Sequence, residues 1–321
     1  MNIYNKEKMG VKLKKKITVC VCTYNSYHYL LRCMKSIAEQ EVSEDLYNVI
    51  ILDNTPSPSG DEYEKCKQFS KTLPNFKYIN KLTDGLSGAR NECLSMCTTK
   101  IIHFIDDDAL VCKKFVKETI KCFDKHKNLS IMGGKVTANW SESPRPHWLS
   151  DDALGYLSVL DFGNSELAYG ERDGMWLVGA NIAFDVETLK KFNGFSVKLG
   201  RKGSDGGLLG SEEMELVYAM HPKHKIVYSS ASVVEHIIQP NRLNQEWFVK
   251  RVAWQSISDV MTNVDYLQNP GPWSDHKKCC DYVKENIKFI FSESVTKEEF
   301  SIKLKVVKLL SFLTSFGLKL Y

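Results

Sequence analysis

Residues 101–105 (Ile-Ile-His-Phe-Ile) run straight into Asp106, Asp107 and Asp108. A short apolar run of this kind is what a strand covered on both faces needs, because neither of its faces can be left to water. Two further runs, Ile17–Thr23 and residues 47–52, have the same β-branched, apolar character. Between them Leu30, Met34, Ile37 and Ala38 recur at helical spacing, and residues 61–71 and 89–96 read as helices on either side of a short strand at 76–79. Strands and helices that alternate with short connections predict an α/β fold, a Rossmann-like, three-layer, mainly parallel sheet. Ligands bind such sheets beyond the carboxyl ends of the strands, which is where the three aspartates fall.

The pattern then changes. Residues 140–172 are rich in Pro, Trp, Ser and Asp with no sustained period, which predicts long loops over a site. Regular structure is expected again at 176–184, in helices over 186–192 and 212–220, and in strands at 225–228 and 233–236. Helices over 247–261 and 277–291 complete the chain.

With 43% hydrophobic and 26% charged residues the composition is that of a soluble globular protein. A formal net charge of +4 is too small to call for nucleic acid as a partner. The charge gathers at the ends: Lys6, Lys8, Lys12, Lys14, Lys15 and Lys16, then Lys303, Lys305, Lys308 and Lys319. Basic ends are either solvated or drawn to an anionic membrane surface. The apolar stripe Ile302, Val306, Leu309, Leu310 and Leu313 allows an interfacial helix, but Leu304, Val307 and Phe312 spoil its polar face and favour packing. Ten cysteines contain no Cys-x-x-Cys pair; Cys20 and Cys22 fall in a strand, and Cys93 and Cys97 on one helix face. Buried, reduced thiols are expected, hence a reducing compartment. With no apolar leader and no run able to span a bilayer, the expected location is cytoplasmic, with peripheral contact at the inner membrane face as the alternative.

Three adjacent carboxylates repel one another, so a positive partner is expected; a divalent cation bound through oxygen is one reading and an acidic cap on the following helix is the other. Six further blocks join this one in order along the chain. They are Thr23-Tyr24-Asn25, Asp53-Asn54, Gly88-Ala89-Arg90-Asn91, Gly179-Ala180-Asn181, Gly210-Ser211-Glu212-Glu213 and Val234-Glu235-His236. On these seven blocks, across roughly residues 17–260, the chain resembles the inverting, nucleotide-sugar-dependent GT-A-fold glycosyltransferases of the bacterial family-2 type.

The resemblance implies a basic tail over residues 1–16, a GT-A catalytic domain over 17–240 and a helical C-terminal extension over 241–321. The nucleotide-sugar half would span about 17–110 and the acceptor half about 130–240. It implies a nucleotide-sugar donor, with UDP-sugar in front, a glycan or lipid-linked saccharide acceptor, and Mn2+ or Mg2+. Thr23, Tyr24, Asn25, Asp53, Arg90, Asp106 and Asp107 would meet the donor, Asp53 by accepting N3–H of the base. Asp106, Asp108 and His236 would hold the metal, and Arg90 would hold the diphosphate or the third aspartate. Glu213 aligns with the family's base and Glu212 supports it, although the family commonly carries Glu-Asp where this chain has Glu-Glu. Trp148, Asn181 and Arg242 would meet the acceptor, Arg242 with phosphate as its other ligand. Two rival readings are a sugar nucleotidyltransferase and a silent nucleotide-sugar-binding subunit. The first needs a Gly-rich basic loop, where this chain has Thr23-Tyr24-Asn25-Ser26; the second would fit loss of Asp108 or of the Glu212-Glu213 pair, and both are present.

Overall fold

Strand β1 (Ile17–Thr23) sends alternate side chains into two different cores. Ile17, Val19 and Val21 pack with Leu30, Met34 and Ile37 of α1 (Tyr27–Ala38), Cys66 of α2 (Asp61–Lys71) and Phe115 of α4 (Phe115–Lys125). Cys20 points the other way, towards Ala89, Cys93 and Leu94 of α3 (Gly85–Met96), Leu189 of α5 (Val186–Lys191) and Val217 of α6 (Glu212–Met220). The period-two alternation of a strand therefore feeds helices on both faces, and three layers result. α1 buries Tyr27, Leu30, Cys33, Met34 and Ile37, the i, i+3, i+4 spacing of a single apolar face.

The computed structural model describes residues 15–202, 207–221, 223–262 and 276–315. In it β2 (Tyr47–Asp53), β3 (Phe76–Asn80) and β4 (Ile101–Asp106) run parallel to β1 in the order β3-β2-β1-β4. The sheet then turns mixed. β8 (Asn181–Asp185) lies antiparallel between β4 and β6 (Leu129–Asn139), and β9 (Lys225–Ile237) runs parallel to β6. The short strands β5 (Ala109–Val111) and β7 (Leu167–Ala168) both pair antiparallel with β9.

Three expectations shift. The run 176–184 forms strand only from Asn181, and residues 176–180 leave the sheet to line a cleft. The strands expected at 225–228 and 233–236 are one strand, β9, whose pairing with β6 slips between Gly134 and Lys135. The last predicted helix stops at the end of α8 (His276–Asn286), and a 3-10 turn, Ile287–Ile290, follows.

α7 (Gln245–Thr262) and α9 (Lys297–Ser315) build a third core. Phe248 and Val252 meet Phe300, Leu304 and Val307, together with Leu149, Ala153 and Leu157 from the long loop. Val306 and Leu309 pack on Val283 of α8. The residues that spoil a polar face on α9 are thus buried ones, and the packed reading of this helix holds. Its lysines are no membrane-facing row: Lys303 donates to Gln245 Oε1 at 3.2 Å, and Lys305 lies 4.2 Å from the centre of the Tyr282 ring. Lys6, Lys8, Lys12, Lys14 and Lys319 lie outside the described residues. No helix of the described residues is long and apolar enough to cross a membrane.

Candidate active site

The carboxyl ends of β1 and β4 open into a cavity of ≈ 880 Å³. Thr23, Tyr24, Asn25, Arg90, Asp106, Asp107, Asp108, Glu212, Glu213 and Arg242 line it. Residues scattered over more than two hundred positions therefore converge on one cleft.

Sheet register assembles the acidic end. Ala109 of β5 is paired with His236 of β9, and the Ile237 N–H donates to the Asp108 carbonyl at 2.8 Å, so Asp108 is held beside His236. His236 Nε2 lies 2.9 Å from Asp108 Oδ1 and 4.0 Å from Asp106 Oδ2. The other Asp108 oxygen accepts from Gln239 Nε2 at 2.8 Å and Arg242 Nη2 at 2.9 Å. Burial alone would raise the Asp108 carboxyl, but the charges of His236 and Arg242 and these hydrogen bonds hold it well below the usual carboxylate range. Among the described residues no cation lies at bonding distance of Asp107. It accepts the Thr23 hydroxyl at 2.6 Å, and burial followed by the Asp108 charge pushes it up to about 7.

One oxygen each from Asp106 and Asp108 and one His236 nitrogen lie within 4.8 Å of one another. Two carboxylates and an imidazole with no thiolate suit Mn2+ or Mg2+, and the side chains that orient Asp108 act as a supporting shell. The donor set fits a divalent ion, and Arg242 and Gln239 leave the Asp108 oxygen nearest His236 uncommitted to them.

Arg90 is the hub between the acidic end and α6. Its side chain is 3% exposed; Nη1 donates to Glu212 Oε1 at 2.5 Å, and Nη2 lies 3.7 Å from Asp106 Oδ1. The guanidinium also lies 5.9 Å and 5.3 Å from the ring centres of Phe104 and Phe195. Gly179 makes this possible, since a Cβ there would lie 2.4 Å from Arg90 Nη2. The Gly179 N–H in turn donates to Glu213 Oε1 at 3.1 Å.

Glu212 and Glu213 open α6 after Ser211, a non-glycine residue at φ +67° whose hydroxyl accepts from Gln255 Nε2 at 2.8 Å. Backbone held in the left-handed region beside a site is where functional strain collects. Glu213 Oε2 is buried with no hydrogen-bond partner among the described residues. Burial first, then the neighbouring Glu212 charge, pushes the Glu213 carboxyl up to about 8 despite Arg90 nearby. A carboxyl of that kind in a cleft is suited to taking a proton near neutral pH.

Three expected contacts fall elsewhere. Asp53 is fully buried and contributes nothing to the cleft wall. Its carboxylate accepts from Tyr27 at 3.1 Å, Tyr78 at 2.7 Å and the Thr55 N–H at 3.0 Å, and the Thr55 hydroxyl accepts the Asn25 N–H at 2.8 Å. Through Thr55, Asp53 shapes the Thr23–Asn25 turn. Trp148 packs edge-on to Phe248 and Phe300, 5.7 Å and 4.6 Å between ring centres, and anchors its loop to the C-terminal helices. Asn181 is also fully buried: its Oδ1 lies 2.8 Å from His103 Nε2, and its Nδ2 donates to the carbonyls of Lys135 and Ser232 at 3.0 Å each. It ties β4, β6 and β9 together through the sheet. Arg242 does line the cleft, but as the partner of Asp108.

Sequence reasoning does not pick out Arg201, Gln239, Arg251, Gln255 or Tyr156, all of which line the cleft. The one available signal is Arg251 with Gln255, two polar residues four apart that bracket the apolar Val252, Ala253 and Trp254. Arg201 follows Gly200, and its carbonyl accepts the Leu86 N–H at 2.9 Å, a contact only the folded chain reveals.

A layered α/β sheet whose strand ends carry an acidic cluster facing a raised carboxyl is the arrangement of the GT-A class of transferases. Residues 18–172 match the family model described as Glycosyl transferase family 2. Over that segment this chain is similar to family-2 glycosyltransferase domains, and the sheet that carries it has the GT-A fold. A glucosyl-dolichyl phosphate glucuronosyltransferase of Haloferax volcanii is 22% identical over 258 residues, 79% of each chain. The glycosyltransferase GlyA of Streptococcus pneumoniae is 25% identical over 305 residues, 92% of this chain but 42% of the relative. Among solved structures, S. aureus TarS in complex with UDP-GlcNAc superposes with a TM-score of 0.56 at 17% identity, covering 94% of this chain and 80% of that one. The mannosyltransferase PcManGT from Pyrobaculum calidifontis, in complex with GDP-Man and Mn2+, gives 0.52 at 14%, covering 95% and 74%. These structural likenesses define the fold.

Proposed function

We propose that this chain moves a hexosyl group from a nucleoside diphosphate sugar, UDP-sugar in the first instance, to a hydroxyl of a glycan or lipid-linked saccharide, with inversion at the anomeric carbon and in the cytoplasm. The observation that carries the reading is the convergence on one cleft of Asp106 and Asp108, which form a cluster with the buried His236, and of Glu213, whose Oε2 has no hydrogen-bond partner among the described residues. The UDP-GlcNAc held by TarS and the glucosyl-dolichyl phosphate in the Haloferax relative's name support the donor and acceptor classes.

In this reading Thr23, Tyr24, Asn25 and Asp107 border the nucleotide, with Tyr24 offering an exposed ring. Asp106, Asp108 and His236 would hold Mn2+ or Mg2+, which would supply positive charge against the departing diphosphate. The acceptor oxygen bonds to the anomeric carbon as the bond from that carbon to the diphosphate oxygen breaks, and the electron pair leaves with the nucleoside diphosphate. Glu213, ionised beforehand, takes the acceptor's proton, and Arg90 with Glu212 holds the start of α6 in place.

A binding and hydrolysis screen of UDP-, dTDP-, GDP- and CMP-sugars, with Mn2+, Mg2+ or chelator, tests this. Metal-dependent binding and slow release of UDP are expected. Absence of binding by all four donors in the presence of metal would sink the transferase reading.

A further inference from the structure

The cleft continues beyond Glu213. Its remaining wall comes from Arg251, Gln255 and Asp259 of α7, Tyr156 of the long loop and Lys308 of α9. Arg251 is out of keeping with its surroundings. Its Nε and Nη1 are buried and have no hydrogen-bond partner among the described residues. A guanidinium offers five N–H donors in a fixed fork and keeps its charge inside proteins. Burial, followed by the charge of Arg201, pushes Arg251 down to about 10, which still leaves it cationic at neutral pH. A guanidinium serving only to tether helices would spend these nitrogens on carbonyls or carboxylates, as Arg90 does on Glu212 and Gly179. Neither nearby acid completes the fork among the described residues: Glu213 spends Oε1 on the Gly179 N–H and leaves Oε2 without a partner, and Asp259 accepts Gln255 Nε2 at 2.6 Å.

We propose that Arg251 receives a negatively charged group of the acceptor, a phosphate ester or a carboxylate, carried near the hydroxyl that takes the sugar. This rests on the reading of Glu213 as the base. The acceptor is favoured over the donor because of where Arg251 lies. Arg201 feels Asp106 and Asp108, whereas the groups acting most strongly on Arg251 are Arg201, Glu213, Tyr156 and Asp259. A Cβ built on Gly210, three residues before Glu213, would lie 3.6 Å from Arg251 Nη2, so Arg251 sits on the base's side of the cleft, on a wall built from the C-terminal helices. An anion there completes the orphaned fork and fixes the acceptor beside Glu213.

The full chain is titrated with glycerol 3-phosphate and glucuronate, and with glycerol and glucose as uncharged counterparts, with and without saturating UDP and Mn2+. The charged probes are expected to bind about tenfold or more tightly than their counterparts, and Arg251→Gln to erase that preference. Arg251→Lys, which keeps the charge but not the fork, is expected to fall between the two and carries the test if Arg251→Gln does not fold. Equal binding of charged and neutral probes, or a preference that survives in both variants, overturns the proposal. Failure of UDP to bind overturns the donor reading instead, and the titrations without UDP still decide Arg251. UDP-glucuronate and UDP-glucose are then compared in wild type and Arg251→Gln. Equal changes keep the anion on the acceptor; a loss confined to UDP-glucuronate moves it to the donor sugar and overturns the assignment.

Discussion

Asp108 and Glu213 stand in the same cleft, both withdrawn from water, and are pushed in opposite directions. Asp108 stays ionised because His236, Arg242 and Gln239 all reach it within 2.9 Å. Glu213 has one backbone N–H on Oε1 and, among the described residues, nothing on Oε2, and the nearby cation Arg90 is committed to Glu212. Burial alone would raise both carboxyls, so the number of positive and donating partners decides which one stays charged. The chain thereby separates a permanent anion suited to a metal from a carboxyl that can change protonation state.

The largest expected effect breaks the comparison at Glu213. Glu213→Gln should lower turnover about 10³-fold, within the range for loss of a general base. Donor affinity is measured alongside by titration with UDP-sugar, and unchanged turnover would remove Glu213 from the mechanism. Because an ionised Glu213 is required, kcat/KM of the wild type should rise with pH and level off above about 8, and this limb should vanish in the variant.

Glu212→Gln sharpens the comparison next. It leaves Arg90 buried, with Asp106 as its remaining anion at 3.7 Å. Breaking one side of a buried pair should cost about 3 kcal/mol in urea unfolding. The same change removes the negative neighbour that raises Glu213 and frees Arg90 to act on it. The rising limb should therefore move to lower pH, by about one unit. A limb that stayed put would mean that burial alone sets Glu213.

The smallest expected effect is on the Asp108 side. Arg242→Gln removes a supporting partner without touching a candidate ligand, and it should weaken Mn2+ half-saturation by roughly 10- to 100-fold. A change of less than twofold would show that His236 and Gln239 suffice to keep Asp108 ionised.

The strand ends are legible in the order of residues alone. Thr23, Asp106, Asp107 and Asp108 follow apolar runs, and a strand's exit from a doubly covered sheet is written locally in where the apolar residues stop. The helix opened by Glu212 and Glu213 is legible for the same reason, since acidic residues at a helix start follow a local rule. Trp148 and Asn181 read as acceptor contacts in the sequence; in the fold Asn181 is buried and Trp148 packs against the C-terminal helices. A tryptophan in a loop, or an asparagine shortly after glycine, carries no local mark of what will cover it. Asp53 does end its strand where expected, but the two tyrosines that enclose it come from α1 and β3, 26 and 25 residues away in sequence.

The sequence by itself determined the layered α/β sheet, the edge at which ligands bind and the acid types gathered there, because strand burial and helix starts depend on short-range patterns of apolar and charged residues. Tertiary structure alone decided which acids stay ionised, why Gly179 must be a glycine, and that Arg251 faces the cleft with nitrogens that no described residue uses. Those properties depend on distances between groups far apart in the chain, as in the pairing of Asp108 with His236, where one segment carries the charge and another, set by sheet register, carries its partner.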